Sequence, residues 1–249
     1  MRCNVFLSEI AKDLRNVITM IGPTCSAAAK TIRLDGSTFE NALARAVEAL
    51  NNGGVIALPT DTVYGLISLL SHSDNLYKIK RRDADKPLGL FISDVEQLNK
   101  WTVQTVPMPT LRRLLPGPVT LIFERSSRLP ASFNPSTHKV GIRIAENRFV
   151  QELCARVDEP LAQTSANISG GPSPVSVQEF SPELWEELDL VVDSGTVGQE
   201  HGDQTREGST VVDLSLDGRY SILRDGCART ITENILRESG ITASTDFRL

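Results

Sequence analysis

The chain has 249 residues, of which 40% are hydrophobic and 23% charged, and its formal net charge at pH 7 is −5. A chain of this length and composition buries a core without disulfides or metal, which excludes a disordered, collagen-like or coiled-coil protein. The negative total argues against a protein that wraps nucleic acid, because such proteins usually carry net positive charge. No stretch reaches the ~18 apolar residues of a membrane helix, so we expect no membrane span.

Cysteine and histidine are too scattered for a disulfide framework or a structural metal site. The four cysteines form no CxxC pair, and the three histidines form no HExxH. This pattern predicts free thiols in a reducing compartment. We expect a cytoplasmic protein, with a mitochondrial pool as the alternative, because the basic residues near the N-terminus are mixed with acidic ones that organelle leaders seldom contain.

Regular patterns begin near Ile32. Residues 1–31 are therefore interpreted as a variable N-terminal extension, residues 32–240 as one domain and residues 241–249 as a C-terminal tail. The capping box at Ser37–Glu40 predicts the start of a first helix, which Gly53 ends. The apolar run 55–58, closed by Pro59, predicts a strand that is buried on both faces.

Helices and strands then alternate along the chain. In order, the patterns predict a strand over 66–70, a helix from Ser73 through Ile79, a strand over 88–92, a helix capped by Ser93, a helix over 107–115, strands over 119–123 and 140–144, helices over 149–157 and 182–188, strands over 190–192, 211–214 and 220–223, and a helix over 231–237. Residues 160–178 and 195–208 are predicted as loops. The alternation predicts a single α/β domain with an open, twisted, mixed sheet and flanking helices.

No nucleotide-binding signature is present, because the chain has neither GxxxxGK[ST] nor a GxGxxG after a strand. Four other segments carry candidate chemistry. The first is LPTDTVYGL at 58–66, which places hydroxyls and a carboxylate after a buried strand, where open α/β sheets bind ligands. The same residues also suit a turn whose Thr and Asp cap a helix.

The second segment is YKIKRRDADKPL at 77–88, with five cations in nine residues. Such a run usually forms a solvated helix face. This one ends in Lys-Pro just before a strand, and Arg and Lys are suited to binding phosphate. We predict an extended chain over 80–82, so that Lys80 and Arg82 share one face while Arg81 points away.

The third segment is LAQTSANISGGPSP at 161–174, which is uncharged and has a Gly-Gly step that lets backbone approach a ligand. Its alternative is a flexible linker. The fourth is a pair of arginines in apolar strands, Arg143 in VGIRI and Arg224 in ILRDG. A buried arginine needs an anion. A structural salt bridge would explain one such arginine. Two such arginines, beside the cationic cluster of the second segment, indicate an anionic ligand.

Taken together, these segments resemble the YrdC-like family of threonylcarbamoyl-AMP synthases. The resemblance covers roughly residues 35 to 240, and its segments occur in the family's order: PTDTVYGL (59–66), KRRDADKPL (80–88), LLPGPVTL (114–121), VGIRI (140–144), PLAQTSANISGGPS (160–173), GSTVVDL (208–214) and ILRDG (222–226). It implies a catalytic domain with an open twisted sheet and a large cationic concave cleft.

The resemblance also implies an activity, a nucleotidyltransferase that makes L-threonylcarbamoyladenylate and pyrophosphate from L-threonine, bicarbonate or CO2, and ATP. A downstream threonylcarbamoyl-transferase complex would then modify the adenosine next to the anticodon in ANN-decoding tRNAs. Mg²⁺ is expected to enter with ATP, without metal ligands from the protein.

Site residues follow from the same resemblance. The K-x-R…S-x-N hallmark, expected to be catalytic, falls on Lys80, Arg82, Ser165 and Asn167. The residues expected to bind ATP are Arg82, Lys86, Ser165, Ser173 and Arg224, and those expected to bind threonine are Thr62, Arg143 and Ser209. Phe91 and Lys139 depart from the pattern, since some members have a polar residue near threonine and a hydroxyl near ATP at these positions. No role is assigned to either.

Two other classes of protein compete with this interpretation. An RNA-binding module would grip phosphates with the same cations and perform no chemistry, and a regulatory domain would bind a nucleotide without turnover. The net charge of −5 and an aromatic content of 5% argue against RNA binding, which relies on base stacking. We therefore expect no stable nucleic-acid complex.

Overall fold

One mixed sheet of twelve strands runs through residues 30–244, the part of the chain described by this computed structural model. The expected extension, residues 1–31, lies outside that range except for Lys30 and Thr31. The strands are β1 (Thr31–Arg33), β2 (Ile56–Leu58), β3 (Gly65–Leu69), β4 (Gly89–Phe91), β5 (Thr102–Val103), β6 (Val119–Arg125), β7 (Lys139–Arg143), β8 (Leu161–Ser165), β9 (Leu190–Asp193), β10 (Thr210–Asp213), β11 (Arg219–Arg224) and β12 (Thr242–Ala243).

Seven α-helices and four short 3₁₀ segments flank the sheet within the same range. The helices are α1 (Phe39–Asn51), α2 (Asp74–Lys80), α3 (Leu98–Trp101), α4 (Met108–Leu114), α5 (Arg148–Val157), α6 (Pro182–Glu186) and α7 (Arg229–Glu238). The 3₁₀ segments are Leu70–His72, Val95–Gln97, Val177–Glu179 and Gln199–Glu207. None of the helices in residues 30–244 has the length and apolar character needed to cross a membrane.

The sheet is open and mixed, as predicted. Its strand order is β1-β9-β2-β3-β8-β4-β7-β6-β10-β11-β12, with β5 added on β6. The inner pairs β2–β3, β3–β8 and β8–β4 are antiparallel, whereas β4–β7 and β6–β10 are parallel. β8 therefore lies between β3 and β4 and joins the two parts of the sheet that carry the candidate residues.

Apolar cores cover both faces of the sheet. Ile56 and Leu58 belong to the cluster that packs under α1 and α5, and Ala57 belongs to the cluster on the opposite face. Successive side chains of a strand point to opposite faces, so a strand covered on both sides needs a continuous apolar run. The interpretation of residues 55–58 as a doubly buried strand is confirmed.

The predicted capping box was wrong, although the helix was correct. Thr38 precedes the helix without a side-chain cap, and the Asp35 carboxylate accepts hydrogen bonds from the backbone N–H groups of Ser37 and Thr38. Ser73 also makes no side-chain cap, and Asp94 takes the capping position expected of Ser93. Asp and Ser compete for the same backbone donors.

Two further boundaries differ from the prediction. The uncharged stretch 160–178 was predicted to be a loop, but its first residues form the inner strand β8, which bonds to a neighbour on each side. The expected tail from residue 241 begins inside the folded part, because Ile241 is buried in the core and β12 pairs with β11. Residues 245–249 lie outside the described range.

Asn134 attaches the segment between α2 and β4 to the rest of the fold. Its side-chain oxygen accepts from the Leu88 N–H at 2.9 Å and from the Tyr77 hydroxyl at 3.0 Å, and its amide donates to the Leu88 carbonyl at 2.9 Å. The backbone at Asn134 is left-handed, with φ of 48°, a conformation that asparagine tolerates better than most residues. Asn134 thereby sets the path of the segment that carries Arg82 and Lys86.

We expect Asn134→Ala to lower the free energy of unfolding by about 2–4 kcal/mol, because the buried N–H and carbonyl of Leu88 lose their partner. Denaturant unfolding measures this change. The control is Asn51→Ala at the exposed end of α1, which should stay within about 0.5 kcal/mol. Equal effects at the two positions would contradict the assigned role of Asn134.

Candidate active site

A cavity of about 510 Å³ opens on the sheet. It is bounded by the loop after β2, the segment between α2 and β4, the adjoining strands β6, β7 and β8, and the chain around Ser209 and Arg224. Seven of the predicted site residues line it, namely Arg82, Lys86, Arg143, Ser165, Ser173, Ser209 and Arg224. Residues that are far apart in the sequence therefore meet at one place.

The described lining carries more positive than negative charge. Its cations are Arg82, Lys86, Lys139, Arg143 and Arg224, and its one carboxylate is Asp85. Burial lowers the pKa of Arg224, and the positive charges of Arg143 and Arg82 lower it further. Burial also lowers the pKa of Arg82. These directions show that like charges are held close together, an arrangement that a polyanionic ligand stabilises.

On the cavity lining, Arg143 is fixed by a buried network. Its Nη2 donates to Asp61 Oδ1 at 2.5 Å and to the Thr62 hydroxyl at 2.9 Å. The Thr60 hydroxyl lies 3.1 Å from that of Thr62 and donates to the Val63 carbonyl. Thr62 is fully buried and is not among the residues that line the cavity, and its hydroxyl accepts from Arg143. Its expected contact with threonine stays a prediction.

Ser209 and Arg224 form a second cluster of hydrogen bonds on the same lining. Arg224 donates through Nε and Nη2 to the Ser209 carbonyl at 3.0 and 2.7 Å, and Nη2 also lies 2.8 Å from the Ser209 hydroxyl. The same hydroxyl is 2.8 Å from that of Thr120. Arg224 is thus oriented by backbone and hydroxyl oxygens, and these leave its charge uncompensated.

Lys80 is not among the residues that line the cavity, and its expected catalytic role stays a prediction. Its side chain is 1% exposed, and its ammonium donates to the carbonyls of Ser165 and Asn167 and to Asn167 Oδ1. The Ser165 hydroxyl donates to the same Oδ1 at 2.5 Å. Of the four hallmark residues, only Arg82 and Ser165 line the cavity, and Lys80 and Asn167 hold Ser165 in place.

The Lys80 ammonium is matched to its surroundings. Burial, followed by the positive charge of Arg82, lowers the pKa of Lys80 to about 7. Three oxygens face the nitrogen, one for each N–H of an ammonium. They therefore favour the charged form and oppose the effect of burial.

The extended conformation predicted for residues 80–82 was wrong. Lys80 is the last residue of α2, and Arg81 adopts a left-handed conformation with φ of 49°. This single residue reverses the chain, so that Lys80 points inward, Arg81 is exposed and Arg82 reaches the cavity. Arg82 is held there by the carbonyls of Lys86 and Pro87 at 2.9 and 3.1 Å.

The two departures from the family pattern both lie on the cavity wall. The Phe91 ring is 5.9 Å from the Arg143 guanidinium carbon, a cation–π contact. Lys139 forms an ion pair with Asp213 at 2.8 Å. Burial opposes ionisation of Asp213, yet the hydrogen bonds from Lys139 and Ser215 lower the pKa of its carboxyl group.

Sequence reasoning missed two residues of this site. Asp61 is the counter-charge of Arg143, and the rule that a buried arginine needs an anion would have led to the carboxylate beside Thr62. Gln163 lines the cavity from β8, a strand interpreted as a loop. Its amide occupies the space over Gly89, where a Cβ would lie 2.3 Å from Gln163 Nε2.

Comparison with known proteins identifies the family. The family model named Sua5_yciO_yrdC and described as "Telomere recombination" matches residues 48–226, which is more than half of the chain. The chain belongs to this family. A Bos taurus threonylcarbamoyl-AMP synthase is 41% identical over 236 residues, covering 89% of this chain and 85% of that protein. A Homo sapiens protein of the same name is 44% identical over 203 residues, covering 80% and 72%.

Solved structures of the family share the fold. The crystal structure of P. abyssi Sua5 complexed with L-threonine matches with a TM-score of 0.71 and 27% identity, covering 86% of this chain, which spans 62% of the length of that protein. E. coli YciO matches with a TM-score of 0.68 and 24% identity, covering 79% of this chain and 94% of that one. The open α/β sheet expected from the sequence is therefore confirmed as the fold of this family.

We expect Lys80→Met to lower both the free energy of unfolding, by about 2–4 kcal/mol, and kcat/KM, by at least about tenfold, because buried carbonyls lose their donor and Ser165 loses its support. Arg81→Met is the matched control, since it removes a neighbouring charge that is exposed, and it should change stability by less than about 0.5 kcal/mol. Similar losses in both variants would indicate a diffuse cationic patch.

Gly226→Ala tests the position of Ser209. A Cβ at Gly226 would lie 2.3 Å from Thr210 N and 2.4 Å from the Ser209 carbonyl carbon, so backbone must move. We expect a loss of about 1–3 kcal/mol in unfolding free energy and a lower kcat/KM. Gly36→Ala is the control, because no atom lies within 4 Å of the added carbon. An unchanged Gly226→Ala enzyme would contradict the tight contact.

Proposed function

We propose that the chain is a threonylcarbamoyl-AMP synthase, a nucleotidyltransferase that joins L-threonine, bicarbonate or CO2, and the AMP part of ATP. The observation that carries the proposal is that one cavity is lined by two kinds of arginine, one whose charge is compensated by a carboxylate and others whose charge is not. Arg143, which is compensated by Asp61, and Arg82 and Arg224, which have no ion pair among the described residues, line the same cavity. The names of the relatives support the same reaction.

The part of the lining around Arg143 suits a small polar substrate such as threonine. Arg143 presents a fixed guanidinium for a carboxylate, and the Ser209 hydroxyl lies on the same lining. Asp61 Oδ2 and Arg143 Nε are buried without a hydrogen-bond partner among the described residues, so the network retains capacity for a polar ligand. Thr62 contributes by orienting Arg143.

The remaining lining suits ATP. Arg82, Lys86 and Arg224 supply positive charge for the phosphates without a Gly-rich loop, and the side chains of Ser165 and Ser173 lie on the same lining. Within residues 30–244 no group of three or more His, Cys, Asp and Glu side chains is placed to hold a metal. We propose that Mg²⁺ enters with ATP, where it would neutralise phosphate charge.

The protein contributes to the reaction mainly by positioning the substrates. The threonine amine adds to CO2 and releases a proton, which gives a carbamate. A carbamate oxygen then attacks the α-phosphorus of ATP, and the bond to the β-phosphate breaks, so that pyrophosphate leaves. Charge develops on phosphate oxygens in the transition state, and fixed arginines stabilise it there. Carbamates decompose in water, so a cavity in the protein also protects the intermediate.

The product is a mixed anhydride, which is a reagent for acylating another molecule. We propose that a separate threonylcarbamoyl-transferase complex consumes it to modify tRNA, and that this chain forms no stable complex with nucleic acid. An RNA-binding module would use the cations of the cavity as an open surface. The names of the relatives favour the enzyme.

We expect pyrophosphate release from MgATP to be at least about tenfold faster with L-threonine and bicarbonate together than with either one alone, a difference of about 1.4 kcal/mol in barrier. A coupled pyrophosphate assay measures the rate, and mass spectrometry identifies the adenylate. Equal release without threonine would refute the proposal. Binding of tRNA with no turnover would favour the RNA-binding alternative.

A further inference from the structure

The segment 195–208 was predicted as a polar loop, and no part of the proposed reaction uses it. In the structure it contains the 3₁₀ segment Gln199–Glu207, which is kinked at Gly202, and it ends at Gly208 on the cavity lining beside Ser209. We call residues 195–208 the strap. In the chain it lies between β9 and β10, and in space it contacts the loop after β2 and the segment that follows β8.

At its first end the strap is fastened to the loop that carries Asp61 and Thr62. His201 Nε2 lies 2.8 Å from the Asp61 carbonyl oxygen. A carbonyl only accepts, so this nitrogen carries the proton and donates it. Gly198 has φ of +70°, and a Cβ there would lie 2.3 Å from the Thr62 carbonyl. The strap backbone therefore rests directly on the residues that fix Arg143.

At its second end the strap holds the segment that carries Ser173. Arg206 Nη1 donates to the Ser173 carbonyl at 3.2 Å and to Glu179 at 2.8 Å, while Nη2 donates to the other oxygen of the same carboxylate at 2.9 Å. Glu179 in turn accepts from the Val175 N–H at 3.2 Å. This bidentate pair closes the segment 173–179 into a rigid unit.

Hydrogen bonds within the strap also stabilise its conformation. The Thr205 hydroxyl lies 2.5 Å from the Gly198 carbonyl and 2.7 Å from that of Gly202. The strap also bonds to the segment after β8 through the backbone, since Val197 N–H donates to the Val175 carbonyl at 2.9 Å. These bonds fix the conformation of the strap itself, and His201 and Arg206 each make a separate contact outside it.

We propose that the strap positions both substrate sites, with His201 as a positioning residue for the threonine site, through Asp61, and Arg206 as one for the ATP site, through Ser173. The assignment of the two sites rests on the proposed function. Neither side chain is among the residues that line the cavity. Each acts through the backbone of a residue next to a substrate, Asp61 in one case and Ser173 in the other.

The test measures the KM for ATP and the KM for threonine in two single variants of the full chain, and it asks which of the two constants each variant changes. Arg206→Ala should raise the KM for ATP about 3- to 10-fold with little change in the KM for threonine, and His201→Ala should do the reverse. Arg206→Lys, which keeps one donor for the Ser173 carbonyl, should recover part of the loss. The charge-exchanged double variant Arg206→Glu, Glu179→Arg should not recover it, since glutamate cannot donate to that carbonyl.

Matched controls remove comparable groups elsewhere. Arg112→Ala breaks a surface ion pair with Glu96 of similar exposure, and His72→Ala removes an exposed imidazole. Both should leave the two constants unchanged. Equal rises in both constants for Arg206→Ala, or control variants that match the strap variants, would overturn the proposal.

Hydrogen–deuterium exchange gives a readout that needs no turnover. Arg206→Ala should speed exchange at the Val175 and Val197 amides, and Arg112→Ala should not. Unchanged exchange together with unchanged constants overturns the strap proposal and leaves the proposed function intact. Failure of the unmodified chain to release pyrophosphate with threonine overturns the proposed function, and the exchange rates still decide whether the strap holds the segment.

Discussion

The buried ion pair between Arg143 and Asp61 is the constraint on which the rest of the site depends. Arg143 is on β7 and Asp61 follows β2, and β3, β8 and β4 lie between these strands. Four strand spacings are about 19 Å, more than an arginine side chain can reach. The loop after β2 must therefore fold back over the sheet. Loss of either partner would leave a buried charge, at a cost of about 3–5 kcal/mol, so the loop has little freedom to open.

Behind the residues that line the cavity lies a second layer that holds them. Thr62 orients Arg143, and Lys80 with Asn167 orients Ser165. The K-x-R…S-x-N hallmark contains residues of both layers, because residues that line a cavity and residues that support them are both polar and both occur at fixed spacing. The exposure of each side chain in the structure distinguishes the two layers. Lys80 is as buried as the apolar core. Its three N–H groups donate to three oxygens of the chain, so all of its hydrogen-bond donors have partners before any substrate binds.

The sequence predicted this site better than it predicted the local backbone. Arg143 and Arg224 were identified because an arginine in an apolar strand requires an anion, a rule that holds in any fold. β8 was missed because its residues, Leu-Ala-Gln-Thr-Ser, lack the alternation of a half-buried strand, and its neighbours β3 and β4 supply the hydrogen bonds that define it. The left-handed conformation of Arg81 has no sequence signal, because a residue other than glycine rarely adopts it.

The arginines of the cavity differ in how they are held, and this difference divides the site. Arg82 and Arg224 are oriented by backbone carbonyls, and neither forms an ion pair with a carboxylate within residues 30–244. A carbonyl fixes the direction of a guanidinium without cancelling its charge, so a triphosphate that binds these residues displaces no internal partner. Arg143 is compensated by Asp61 and offers less net charge. A polyanion is therefore attracted more strongly to Arg82 and Arg224 than to Arg143, and this difference agrees with the proposed assignment of Arg143 to the smaller carboxylate of threonine.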